Sequence, residues 1–558
     1  MTMMRMIRAA LGAFLLLTVP TLACAVPAGT APAQVMTETK AQKFRRLMTK
    51  AATSNPAANA PLSGAWPWPA STSVNAGAKF SNAGNVYVVT TAGTTAGSGG
   101  PTGYGVGITD GSATWAYIGP QTAPAVTNTT AALSGLTSTI PNTDARIRYG
   151  GGNTVSNSGG YAFWSVQQGS ADTTCKSGTG TSYNQNGFGA FLEIETDAPK
   201  ITFDFKQAGY FATVMVTDLG AGPGDARFVD ASPVQLSANG AGHTYLNLDF
   251  TNTQIGTSRH LRRIRVDFGC NQVFFGIKVA PTDAVGAPST ADVIHAAFLG
   301  DSWTAADNIF LPTSLNTTYS TGSGIHGWRV GFAETLGRLL GWDDVWASGA
   351  SGTGYLKSNA TYSQAFAGRV ADITSITANG VTYTPDVVVI MGGINDVTQT
   401  GFQAAVLTLI QNVRAAVGPS IPIIVLGYNS YAVSALALEQ QYEGLISAAV
   451  TQAADPLVYF IPNVTATDTG VSGSPQGYIT GSGNVGSPGG AGNSDFYVGT
   501  SASPGNGHPN ELGEQYLARR YAAKIRQIIG LAPWSANDDR HWRSLAANGN
   551  RLVERAAA

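Results

Sequence analysis

A hydroxyl at Ser302, an amide at Asn395, a glycine-rich run at 348–354 and an imidazole at His508 form the set that acyl transfer needs. Serine is a poor nucleophile until a neighbouring histidine removes its proton. The tetrahedral intermediate then needs hydrogen-bond donors fixed where its oxyanion develops. Backbone N–H groups of a glycine turn and an asparagine side-chain amide serve that purpose, and losing one such donor costs about 10²–10³ in rate.

These residues recur at one kind of place. Gly300, Asp301, Ser302 and Trp303 follow the apolar run 293–299. Gly392, Gly393, Ile394, Asn395 and Asp396 follow a second run, 387–391, and the glycine turn follows a strand-like 345–347. A further apolar run occupies 423–426. None of the longer runs shows the alternation of a half-exposed strand, so they read as buried strands of a parallel sheet. Helix-period stretches at 328–340, 402–417, 436–454 and 511–529 separate or follow them, the last directly after His508, Pro509 and Asn510. Strands alternating with helices predict an α/β domain, and ligands of such sheets bind at the carboxyl ends of the strands.

In this order and context, GDS at 300–302, the glycine turn at 349–354, GIND at 393–396 and HPN at 508–510 resemble the SGNH, or GDSL, hydrolase family. The resemblance implies a flavodoxin-like three-layer α/β/α domain, with Ser302 as nucleophile and His508 as base. It implies oxyanion donors from the Ser302 backbone, the Gly352 backbone and the Asn395 side chain, Gly349 being the rival to Gly352. Asp301 and Asp396 would hold loops at the strand ends. One departure stands out: the family's Asp three residues before the histidine is here Gly505. The orienter of His508 is then a backbone carbonyl, Asn506, or an acid from elsewhere such as Asp495. Some carbohydrate esterases with an attached jelly roll work as such Ser–His dyads, and a dyad is the expectation. There is no GxSxG nucleophile elbow, no HExxH or Cys/His cluster, and no Walker-type loop. No cofactor or metal is expected.

Upstream the texture is β. Residues 192–195, 200–205 and 263–268 alternate apolar and polar with period two between Gly- and Asn-rich turns, predicting an all-β sandwich of jelly-roll type over 130–285. It is open to a lectin-like or a purely structural role. A small β module is expected over 61–122, from strand-like 66–68, 86–89 and 115–118. Its wording resembles modules of phage tail proteins and exported polysaccharide enzymes. Trp66, Trp68, Trp115 and Tyr117 either stack on sugar rings or fill its core. The other histidines, His243, His260, His295, His326 and His541, are read as structural.

The remaining segments are a signal peptide at 1–25, a linker at 26–60, the hydrolase domain at 290–532 and a tail at 533–558. Arg5 and Arg8 precede an apolar stretch ending near Val19, and Ala23 and Ala25 suit cleavage after Ala25. Cys24 would also suit a lipoprotein signal, against which Thr21 stands where Leu is expected. A short helix is expected near Lys43 to Leu47. The apolar stretch is too short to span a bilayer, so no transmembrane segment is expected, and export places the protein in the secreted or periplasmic space. Cys175 and Cys270 remain as an even pair and are expected to form a structural disulfide.

Composition narrows the substrate. The chain has 558 residues, a net charge of −1, only 12% charged residues and 68 glycines. A nucleic-acid partner needs a basic face to displace counterions, and none is visible. No exposed apolar lid or amphipathic helix suggests a lipid interface. The reading is a secreted serine esterase acting on an acylated polysaccharide, most simply on its O-acetyl groups. The alternatives are an esterase or lipase for other short acyl esters, and a glycan-binding protein with a decayed esterase domain.

Overall fold

A computed structural model describes residue 47 and residues 66–74, 79–83, 85–120, 124–157, 160–164, 191–206, 211–219, 228–230, 234–236, 242–251, 261–268, 272–290, 293–305, 331–358, 364–428, 436–465 and 511–530. The chain divides into two units, Met1–Thr39 and Lys40–Ala558, and every described residue lies in the second.

The α/β part is built on five strands: β1 (His295–Gly300), β2 (Asp344–Gly349), β3 (Val387–Met391), β4 (Ile423–Leu426) and β5 (Val458–Ile461). Their order is β2-β1-β3-β4-β5, and every neighbouring pair is parallel. This is the flavodoxin-like order, which reverses between β1 and β3 and opens a crevice there at the carboxyl ends. Among the described residues four α-helices accompany the sheet: α1 (Phe332–Leu340), α2 (Phe402–Val417), α3 (Leu436–Ala453) and α4 (Glu511–Ile528).

Alternation along the strands divides two apolar cores. Ala296, Phe298, Val387 and Val389 pack with Leu336, Leu339, Leu517 and Tyr521 of α1 and α4. Ala297, Leu299, Val388 and Ile390 face the opposite way, against Val406, Leu409, Ile410 and Val413 of α2 and Ile446 of α3. The α2 contacts recur three and four residues apart, one helix face. Such burial contributes roughly 1.5–3 kcal/mol per large side chain, an upper figure since unfolded chains already bury some surface. The three-layer α/β/α expectation therefore holds. The fifth strand, a 3₁₀ helix at Phe366–Ile373 and a hairpin of Ile376–Ala378 with Val381–Tyr383 are additions that periodicity did not reveal.

Two antiparallel sheets precede this domain. One contains Arg148–Gly150, Phe191–Thr196, Arg262–Phe268 and Phe211–Asp218. The other contains Gly160–Trp164, Val273–Val279, Lys200–Lys206, His243–Asp249 and Ala125–Thr129. Leu192, Ile194 and Val266 from the first pack with Phe203, Leu246 and Phe274 from the second, so the alternating positions form one core. A five-stranded sheet lies upstream, with Phe80, Tyr87 and Trp115 fully buried. That settles the two readings of Trp115: it fills the core, edge-to-face with Phe80 at 5.5 Å. Trp68 donates its indole N–H to Asp110 at 2.6 Å.

The sandwich meets the α/β domain through polar contacts. Arg265 donates to Asp267 on its own strand and pairs with Glu334 of α1 at 3.0 Å. Gly151 N–H donates to Asp344 at 2.8 Å, and Asn153 and Thr154 accept from the hairpin backbone at Thr377 and Asn379. Leu47, within the stretch read as linker, is helical and buried in the core with Trp342, Ile424 and Ile525. The chain is thus packed at that residue, because the apolar groove between sheet and α4 takes its side chain. The signal peptide, the tail after 533, and both Cys175 and Cys270 lie outside the described residues.

Candidate active site

Ser302 follows β1 and Asn395 follows β3, so they leave neighbouring parallel strands at the same edge, where the strand order reverses. The third segment at this edge is the turn after β2. Gly300 and Gly349 are register partners at the ends of β1 and β2, and Gly352 lies three residues further on, at φ +72°. Glycine takes that left-handed conformation without the strain a Cβ would bring.

Hydrogen bonds hold the three segments in register. Asp301 Oδ1 accepts Trp303 N–H at 3.0 Å, and Ala305 N–H donates to Asp301 O, closing a tight turn around Ser302. Ser302 itself is 5% exposed. Asn395 Nδ2 donates to Thr353 O at 2.9 Å, tying the amide to the residue after Gly352. Thr353 Oγ1 donates to Ala350 O, which pins the turn internally. Beyond it, Asp396 accepts from three successive backbone N–H groups, Tyr355, Leu356 and Lys357, at 2.8–3.0 Å. A Cβ at Gly354 would stand 2.1 Å from Asp396 Oδ2, so only glycine lets the loop approach this carboxylate.

Asp301 and Asp396 are both buried beside these segments. Burial raises Asp301 to about 7, against the Trp303 N–H bond that lowers it, and the Asp396 charge pushes the same way as burial. Its Oδ2 has no hydrogen-bond partner among the described residues. Burial also raises Asp396, opposed by its three backbone N–H donors. Asp301 and Asp396 thus occupy the loop-holding places the sequence suggested.

His508 and Gly505 lie outside the described residues, as do 306–330, 359–363, 429–435 and the rest of 466–510. What the structure does describe is the anchoring of α4, which follows His508. Glu514 Oε2 accepts Phe332 N–H at 2.7 Å, joining α4 to the start of α1. Arg520 donates to Asn463 Oδ1 at 2.7 Å and to Pro462 O. Asn463 belongs to a second carboxylate cradle, missed in the sequence. Glu443 of α3 accepts from Tyr428, Asn463, Val464 and Thr465 N–H groups, binding the carboxyl ends of β4 and β5. A glutamate at a helix interior carries no signal of such a role until the strands are in place.

His295 is the first residue of β1, at the opposite edge from Ser302, and pairs with Asp344 at 2.8 Å. His243 pairs with Asp204 on the sandwich. His260, His326 and His541 lie outside the described residues. Among the described residues no three His, Cys, Asp or Glu side chains cluster as metal ligands, and no helix is long and apolar enough to cross a membrane.

Residues 298–516 match the GDSL-like lipase/acylhydrolase family model. No curated protein matches the chain by sequence. Similar solved structures include the salicylyl-acyltransferase SsfX3 from a tetracycline biosynthetic pathway, 14% identical with TM-score 0.47, covering 71% of this chain and 99% of that one. A family two carbohydrate esterase from Cellvibrio japonicus is 14% identical with TM-score 0.44, covering 72% and 98%. The acetyl xylan esterase Est2A from the rumen bacterium Butyrivibrio proteoclasticus is 12% identical with TM-score 0.42, covering 70% and 99%. The match to the GDSL-like lipase/acylhydrolase family model, residues 298–516, spans the nucleophile and amide blocks that the fold brings to one sheet edge.

Proposed function

We propose that the protein is an exported serine esterase that removes short acyl groups, acetyl foremost, from a polysaccharide. The observation that carries this reading is the convergence of Ser302, the Gly352 turn and Asn395 at the switch point, with Asn395 bonded to the turn through Thr353 O. The near-neutral chain with few charged residues suits an uncharged sugar polymer. The β-rich region beside the hydrolase domain supplies surface for a long substrate.

In this mechanism Ser302 Oγ attacks the ester carbonyl carbon while His508 takes the hydroxyl proton. The C=O electron pair moves to oxygen, and the oxyanion is met by the Ser302 and Gly352 N–H groups and Asn395 Nδ2. Collapse breaks the bond to the sugar oxygen, which leaves with the proton held by His508. Water then attacks the acyl-enzyme, His508 takes its proton, and Ser302 leaves with that proton as the carboxylic acid is released. With Gly505 in place of an acid, His508 is oriented by a group other than a side chain at 505.

Initial rates on p-nitrophenyl esters of two to twelve acyl carbons, together with acetate release from acetylated xylan, test the substrate. The expected result is fastest turnover of the acetyl ester, declining with chain length, and acetate release from the polymer. Rates rising with chain length, with no acetate released, would overturn the acetyl-polysaccharide reading.

A further inference from the structure

Arg369 lies in the 3₁₀ helix Phe366–Ile373, is 3% exposed, and has no part in the mechanism above. Its Nη1 donates to Ser348 O at 2.8 Å and to Ser348 Oγ at 3.1 Å. Its Nη2 donates to Gly300 O at 2.7 Å and to Thr353 Oγ1 at 3.0 Å. These acceptors belong to three segments. Gly300 ends β1, two residues before Ser302. Ser348 is the penultimate residue of β2, where the glycine turn begins. Thr353 adjoins Gly352, and its carbonyl holds Asn395.

Burying a guanidinium costs several kcal/mol of desolvation, and an apolar side chain would fill such a space at less cost. What the apolar side chain lacks is a planar fork of donors that reaches several acceptors at once. Three of these four acceptors are also fixed by a second bond. Ser348 Oγ donates to Asp372, Thr353 Oγ1 donates to Ala350 O, and Gly300 O also accepts Ala350 N–H. Burial lowers the guanidinium to about 10, opposed by the Asp372 and Asp301 charges, so it remains a cation at neutral pH.

We propose that Arg369 is the positioning residue of the oxyanion hole, clamping the Gly352–Thr353 turn to the strand ends that carry Ser302. The proposal rests on the reading that Ser302, Gly352 and Asn395 form the acylation site. Without the clamp Thr353 loses its side-chain link to Gly300 and Ser348, and the turn keeps the Ala350 N–H bond to Gly300 O, so Gly352 N–H and Asn395 Nδ2 are held less firmly in one geometry. The effect then falls on the transition state more than on ground-state binding.

The test compares wild type, Arg369→Met, Arg369→Lys and Ser302→Ala on p-nitrophenyl acetate. It also measures inhibition by phenylboronic acid, whose tetrahedral adduct places an oxygen where the oxyanion forms. Arg369→Met is expected to lower kcat by about 10²-fold, the scale of one lost oxyanion donor, with KM within about threefold. Boronate affinity should fall in parallel, and Arg369→Lys should recover little, because an ammonium lacks the fork. An unchanged kcat, or a loss fully explained by the fraction of folded protein, would overturn the proposal. If Arg369→Met does not fold, Thr353→Val decides: a kcat drop at constant KM supports the clamp, and unchanged kcat overturns it. Turnover that persists in Ser302→Ala overturns the site reading and the clamp with it. Turnover lost in Ser302→Ala but untouched in Arg369→Met overturns the clamp alone.

Discussion

Asn395 donates its side-chain N–H to the carbonyl oxygen of Thr353 at 2.9 Å, so one amide hydrogen is engaged in holding the glycine turn. The same amide carries a second hydrogen, which is the one available to an oxyanion. Asn395→Ala removes both functions. It is expected to lower kcat on p-nitrophenyl acetate by about 10²–10³ with a small change in KM. Steady-state kinetics check this, and a variant within threefold of wild type would exclude Asn395 from the hole.

Asp396 and Glu443 each satisfy a row of backbone donors where loops leave the sheet. In Asp396→Ala the N–H groups of Tyr355, Leu356 and Lys357 lose their acceptor. The expected cost is about 3–5 kcal/mol of unfolding free energy, since each buried orphan donor costs about 1–3 kcal/mol before water or relaxation recovers part of it. Urea titration measures it. Glu443→Gln should be similarly costly, because an amide NH₂ would face the N–H donors that the carboxylate now accepts. A loss under about 1 kcal/mol in both variants would mean the cradles are not needed for stability.

Arg265 joins the sandwich to the α/β domain. Its guanidinium bonds Asp267, pairs with Glu334 and stacks over the Phe191 ring at 3.8 Å. Burial works against its charge, and the Asp267 and Glu334 charges more than offset this, holding it above its ordinary value. Arg265→Met takes a shared cation from the buried carboxylates of Asp267 and Glu334, with Arg338 still 4.0 Å from Glu334, a loss of roughly 3–5 kcal/mol. The double variant Arg265→Met with Glu334→Gln is expected to be more stable than the sum of the two single losses implies. Additive losses would show that the two side chains do not interact.

Asp301 sets a pH dependence of opposite sign to the common one. It ionises near 3.8 when unperturbed and near about 7 in the fold. Between those values the folded protein keeps a proton that the unfolded chain has released. Its contribution is therefore greatest below about pH 4 and declines as pH rises toward 7, by up to about 1.4 kcal/mol per pH unit. Asp372, raised by burial to about 6, acts in the same direction over a shorter window. Asp301→Asn cannot titrate, so unfolding free energy should fall less with pH between 4 and 7 than in wild type. Parallel curves for the two proteins would contradict the raised value.

The parallel strands were legible because β1 and β3 are apolar on both faces, and their ends announce themselves with Gly300 and with Gly392 and Gly393. Ser302 and Asn395 could be read for the same reason: chemistry-bearing residues follow those strand ends directly. β5 was not legible, since its four residues place Tyr459 and Phe460 in half-buried positions and give no periodicity to read. Arg369 and Glu443 were invisible for another reason. An arginine in a short 3₁₀ helix and a glutamate in α3 look like surface residues until distant backbone groups close around them. Trp115 shows the converse, an aromatic that suits a sugar platform by type and is fully buried in fact.

The most direct test of the serine mechanism is hydrolysis of p-nitrophenyl acetate by purified wild type beside Ser302→Ala, with the serine content titrated by an organophosphonate. Turnover in wild type, stoichiometric labelling at Ser302, and loss of both in the variant are the predicted result. Equal turnover in the two proteins, or an inert wild type that takes up no label, would contradict Ser302 as the nucleophile of this domain.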